Sequence, residues 1–195
     1  MSYAELQVTT HFSFLRGVSS AEELFSAAVL LGIKALGVTD RNSLAGLVRA
    51  HEAAKVTGVR LIVGCRLDLQ CGTSMLVYPT DRKAYGGLCR LLTVGKTRAG
   101  KGACDLAWPD VEAWQEGLVA VLLPDGLGDR LASELRRLRA VFGDRAYCAL
   151  TRLFLPDEMA RLRKHDNAAA QAGVATVVTN DVLYHCPSRR LLQDV

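Results

Sequence analysis

The sequence predicts an α/β protein of repeated strand–helix units, and three observations carry that expectation. Seven short runs rich in Val, Ile and Leu read as strands, at Glu5–Thr9, Ile33–Thr39, Leu61–Leu69, Met75–Tyr78, Leu118–Leu123, Ala146–Leu150 and Val174–Thr179. Apolar stripes of helical period occupy most of the intervals between them. The strand runs are continuously apolar rather than alternating, as in a parallel sheet buried on both faces. Right-handed crossovers between such units give either an open doubly wound sheet or a closed barrel, and periodicity does not choose between the two.

The helices follow in order. Ser20–Leu31 opens with Ser20 and, three residues on, Glu23, the spacing of a capping box, and stops at Gly32. Asn42–Lys55 carries a stripe of Leu44, Ala45, Leu47, Val48 and Ala54. Asp81–Leu92, Leu127–Val141 and Pro156–Ala172 obey the same logic, the last followed by Gly173. His51 and His165 fall on these helices and are expected on exposed faces. The stretch Gly95–Pro109 is basic and glycine-rich, so it reads as an exposed loop. Ser188–Val195 begins a helical pattern without a closing cap. The expectation is one domain over 1–195, cut from a much longer chain.

At 195 residues, half of them hydrophobic, the chain can bury a substantial core, which excludes disorder. Lys and Arg exceed Asp and Glu by 24 to 20, too mild an excess to argue for a nucleic-acid binder by itself. None of the six cysteines forms a C-x-x-C pair, so a treble-clef or ribbon zinc site has no support. The opening residues have no basic region followed by an apolar one, and no apolar run is long enough to span a bilayer. A cytoplasmic protein with reduced thiols and no membrane contact is expected.

Three segments resemble the polymerase-and-histidinol-phosphatase (PHP) superfamily. They are Tyr3–Gly17, then Gly37–Gly46 with the later Val63–Leu67, and Val178–Pro187. In order and spacing they look like the PHP domain that begins bacterial DNA polymerase III alpha-type chains of the C family. The wording Phe-Ser-Phe-Leu-Arg-Gly (Phe12–Gly17), Tyr-Pro-Thr-Asp-Arg (Tyr78–Arg82) and Leu-Cys-Arg-Leu-Leu-Thr (Leu88–Thr93) is similar to the error-prone, damage-tolerant branch. The resemblance implies a distorted seven-stranded (β/α)7 TIM-like barrel, with up to three metal ions at the carboxyl ends of the strands in active members. Gln7, Thr9, Asp40 and Asp181 fall at such ends, the rim where barrel folds build chemistry.

Carried over position by position, the ligand set is degraded. The opening His-x-His pair is Gln7 and Thr9, the Asp-His pair is Asp40-Arg41, the Glu after Gly-Cys is Arg66, and the closing Asp-x-His is Asp181 and Leu183. Only the two aspartates keep a ligand type; two positions have become arginine, which cannot ligate a metal and repels one. Two facing carboxylates without a cation are costly, so a guanidinium of Arg41 or Arg66 is expected to pair with Asp40 or Asp181. His11 and His185 lie two residues beyond lost positions and are candidate rescue ligands, because a period-two shift on a strand keeps the face. Set against that is an ordinary surface or hydrogen-bonded histidine, favoured because a metal site needs several convergent ligands. Cys65 reads as a small core residue.

Lys96, Arg98 and Lys101 are candidate DNA contacts, against the plainer reading of a solvated loop. Gly95-Lys96-Thr97 is not a Walker motif, since Arg90 stands where its first glycine belongs.

The resemblance thus implies a DNA-directed DNA polymerase, a nucleotidyltransferase whose two-metal chemistry lies in a palm domain outside these residues. For the segment itself no catalytic residue, metal or cofactor is expected, and the leading reading is a structural and docking module. Its partners would be the remainder of the polymerase chain, primer-template DNA through the whole enzyme, and mutagenesis-complex proteins. The runner-up is an active phosphoesterase, a proofreading nuclease or pyrophosphatase, with Mg, Mn or Zn held by Asp40, Asp181, His185 and His11. An independent DNA-binding module is a third reading, marked by salt-sensitive affinity.

Overall fold

A computed structural model describes residues 3–193. Of these, 3–65 and 179–193 form one compact unit and 66–178 another.

In the first unit β1 (Ala4–Val8), β2 (Ala35–Val38) and β3 (Arg60–Val63) make a parallel sheet in that order. Helix α1 (Ala21–Leu30) packs against α2 (Leu47–Thr57). The capping box at α1 is formed: the Ser20 hydroxyl accepts from the Glu23 N–H while the Glu23 carboxylate accepts from the Ser20 N–H. Phe25, Leu24, Leu36, Val38, Leu47 and Ala50 supply the core. Helix α2 starts later than its apolar stripe suggests. Asn42 adopts a left-handed backbone (φ 47°), and the Arg41 N–H is taken by the Ser13 hydroxyl, so residues 41–46 wrap around Asp40 before the helix can begin.

In the second unit the sheet order is β4 (Cys65–Asp68), β5 (Ser74–Pro79), β6 (Leu118–Leu123), β7 (Ala146–Thr151) and β8 (Ala175–Thr179). Helices α3 (Arg82–Arg98), α4 (Trp108–Trp114), α5 (Asp129–Phe142) and α6 (Glu158–Gln171) accompany it. Leu131, Leu135, Leu138 and Phe142 form the buried stripe of α5, at spacings that keep one helix face. Near the carboxyl end a short 3-10 turn at Pro187–Arg189 leads into α7 (Arg190–Gln193). The helix expected over 188–195 is therefore seen to Gln193; Asp194 and Val195 lie outside the described residues.

The α/β class holds, but four expectations need correction. The described strands number eight in two open sheets rather than seven in one ring. The run Leu61–Leu69 is two strands: Gly64 makes the last bond to β2, donating to the Val38 carbonyl, and the chain then joins the other sheet as β4. β5 and β6 pair antiparallel, because two successive helices, α3 and α4, return the chain to the end it left. Gly95–Pro109 is a loop only over 99–107, since α3 runs on to Arg98 and α4 starts at Trp108. Gly95 lies on the buried face of α3, where a β-carbon would stand 2.7 Å from Cys104 Sγ and from Leu106. Close packing, not a turn, explains that glycine.

His165 is the clearest misreading of exposure. It is only 1% exposed, and its Nε2 donates to the Gly126 carbonyl at 2.9 Å, tying the turn after β6 to α6. Burial, above all, holds its pKa below the usual 6.5; the Gly126 bond opposes this and Arg161 adds to it. The unfolded chain therefore takes up the proton first. The contribution is full above 6.5 and is lost as the pH falls from there through the folded value. Urea midpoints from about pH 7.5 to about pH 5.5 should fall more steeply for wild type than for His165→Gln. Equal slopes would contradict this.

Candidate functional site

The candidate site lies in the first unit, where β1, the turn after β2 and the turn after β8 end. Alternation along β1 turns Glu5, Gln7 and Thr9 to one face, and all three are buried. Gln7 bridges two neighbours: its Nε2 donates to Asp181 Oδ1 at 2.8 Å, and its Oε1 accepts from the Thr179 hydroxyl at 2.8 Å. Backbone bonds lace the same strands, Val182 N–H to Gln7 O and Thr9 N–H to Val182 O.

Asp181 has a left-handed backbone (φ 50°), which a short polar side chain tolerates. Its carboxylate receives Arg16 Nη2 on both oxygens, at 2.8 and 2.7 Å. An arginine does neutralise Asp181, then, but it is Arg16 from the loop after β1. Of the two arginines expected in that role, Arg66 pairs with Asp68 at 2.7 Å and donates to Ser74 in the second unit. Arg41 contributes its backbone N–H to Ser13 Oγ.

Asp40 is 1% exposed. Its Oδ1 accepts from the Thr10 N–H at 2.9 Å and from Ser13 Oγ at 2.7 Å, and its Oδ2 accepts from Thr10 Oγ1 at 2.8 Å. Burial raises its pKa above the usual 3.8, opposed by the bonds from Ser13 and Thr10. Cys65, buried as expected, directs its thiol to the carbonyls of Asp40 and Ser43.

The rescue histidines are engaged elsewhere. His11 is exposed and stacks on Phe12 with ring centroids 4.7 Å apart. His185 Nδ1 lies 2.8 Å from Ser19 Oγ and 3.8 Å from Glu23 Oε2. Leu183 offers only its carbonyl, to the Val18 N–H. Among the described residues no three His, Cys, Asp or Glu side chains gather as a metal would require. The donors present do not fit a cation cluster: one carboxylate is filled by hydroxyl and amide donors, and the other faces a guanidinium.

Of the candidate DNA contacts, Lys96 is exposed on α3 and Lys101 on the loop that follows. Arg98 is committed to Asp110 through two bonds of 2.8 Å and also donates to the Asp105 carbonyl.

The PHP domain profile matches residues 5–162. The chain belongs to the PHP domain family. Error-prone DNA polymerases 1 and 2 of Agrobacterium fabrum are 62% and 59% identical to this PHP chain, covering 99% and 100% of it. Each match takes in 18% of the polymerase, so the chain spans about a fifth of the length of the curated relatives it matches. Among solved structures, a protein of Bifidobacterium adolescentis assigned as a metal-dependent phosphoesterase superposes with a TM-score of 0.68 at 15% identity, covering 95% of this chain and 90% of that one. At that identity the likeness concerns the PHP fold alone.

Sequence reasoning missed Thr10, Ser13, Arg16 and Glu5. Glu5 had a signal, the same two-residue period as Gln7 and Thr9. Its buried carboxylate accepts from the Tyr3 hydroxyl, the Gln7 N–H and the Asn180 amide. The other three sit on an irregular loop, where no period announces direction.

Proposed function

We propose that this segment is the amino-terminal PHP domain of an error-prone DNA polymerase and acts there as a structural and docking module without hydrolytic chemistry of its own. The observation that carries the reading is the state of the two surviving aspartates. Asp40 is saturated by Thr10 and Ser13, and Asp181 faces Arg16 and Gln7. A divalent ion would have to displace a guanidinium, losing a charge-assisted contact before gaining a ligand.

The whole-enzyme activity is proposed likewise, as lesion-tolerant nucleotidyl transfer by residues outside this segment. Primer-template DNA and mutagenesis-complex proteins are proposed partners of the full chain. Lys96 and Lys101 are the proposed DNA contacts here; the charge of Arg98 is already spent on Asp110. A cytoplasmic location is proposed too, and among the described residues no helix is long and apolar enough to cross a membrane.

Elemental analysis of the purified full-length enzyme, joined to phosphodiester and pyrophosphate assays in manganese and in zinc, tests the proposal. The expected result is a preparation whose hydrolysis is unaffected by substitutions in this segment. Stoichiometric metal with hydrolysis abolished by Asp181→Asn would establish the phosphoesterase reading instead.

A further inference from the structure

We infer that Asp40 and Asp181 now serve to hold the loop between β1 and α1 rigid, so that its apolar tip docks on the remainder of the polymerase chain. The inference rests on the reading that this segment belongs to such a chain.

The loop, residues 10–19, is sorted by polarity. Its polar side chains turn to the acids: Thr10 and Ser13 reach Asp40, and Arg16 reaches Asp181. Its backbone is tied as well, through His11 N–H to Ser19 O, Gly17 N–H to Ser13 O and Val18 N–H to Leu183 O. Its apolar side chains turn outward. Phe14 is 86% and Leu15 82% exposed, with Phe12 partly exposed beside them. Leu15 also adopts a left-handed backbone (φ 60°), a conformation that costs a branched residue about 1 kcal/mol or more. A plain connector gains nothing from two bare apolar side chains on a pinned and strained backbone. A docking tip gains from both, because a preordered segment loses little conformational freedom on binding.

Charge and size select the occupant. Within the loop the one arginine, Arg16, is neutralised by Asp181, so no guanidinium of the tip is aimed at a phosphate backbone. An apolar protein surface fits it. Three side chains are too small a patch to hold a separate protein, for which roughly 800 Å² per partner is usual. A surface on the same chain needs far less, since tethering raises its effective concentration. The matched polymerases continue well beyond the 18% that aligns with this chain, and that remainder is the occupant inferred.

Full-length polymerase carrying the photoreactive p-benzoylphenylalanine in place of Phe14 tests the inference. Irradiation is expected to give a crosslink within one polymerase chain, from position 14 to an apolar peptide outside residues 1–195. Crosslinks confined to 1–195, to a second copy, to another protein or to DNA, or none at all, would overturn it. The part played by the acids is read separately in Asp181→Ala, where amide exchange over residues 10–17 should quicken by about tenfold and the crosslink yield should drop. Unchanged exchange would remove the carboxylates from the argument. Metal analysis of the same preparations keeps the two readings apart. Bound metal with hydrolysis defeats the scaffold assignment and leaves the crosslink standing, whereas a missing crosslink in inert protein defeats the docking inference alone.

Discussion

Asp40→Ala is expected to destabilise the protein by about 3 kcal/mol, through donors left without an acceptor. Removing the carboxylate strands the Thr10 N–H and two hydroxyls in a place with almost no solvent, and frees the loop they anchor. Asp40→Asn should cost much less, since the amide keeps one accepting oxygen and presents a donor to the Thr10 hydroxyl. The pH dependence separates the variants further. Because burial lifts the Asp40 pKa above 3.8, the folded state holds this proton more tightly than the unfolded chain. Its contribution is full below 3.8 and is lost as the pH rises through the folded value. Asp40→Asn removes that dependence. Urea unfolding of the three proteins across the acid range measures both effects; an Asp40→Ala protein as stable as wild type would show that the carboxylate holds nothing.

Phe25→Ala should cost about 3–5 kcal/mol, the usual range for deleting a fully buried aromatic ring. Phe25 lies on α1 with no solvent exposure, in the cluster formed with Leu36, Val38 and Ala50. The resulting cavity weakens the frame from which β1 and the loop 10–19 project. Phe25→Leu, which keeps most of the volume, should lose well under half as much. Denaturant midpoints measure both variants, and similar midpoints for Phe25→Ala and wild type would place the core elsewhere.

What could be read from the sequence depended on whether a residue sits in a periodic element. The Ser20–Glu23 cap and the apolar run Leu118–Leu123 are local patterns, and both appear where expected. Gly64 and Gly95 had local cues that pointed the wrong way. One glycine inside an apolar run does not reveal that the chain leaves one sheet for another, and one glycine among basic residues looks like a turn until Leu106 is seen against it. His165 was misread because a histidine on a polar helix gives no sign that the Gly126 carbonyl waits beneath it. At the site, Gln7 and Asp181 were found through motif position, and the structure brings them within a hydrogen bond across 174 residues of sequence. Arg16 was written inside the same motif, yet its direction is set by a loop fixed through long-range bonds to Asp40, Asp181 and Leu183.

Gln7 shows why restoring one histidine would not rebuild a hydrolase. Its amide donates to Asp181 with one end and accepts from Thr179 with the other. Gln7→His alone would put an imidazole beside Asp181 while Arg16 still barred the cation. Recovery would demand several coordinated replacements, each unfavourable in isolation, so the present arrangement behaves as a ratchet.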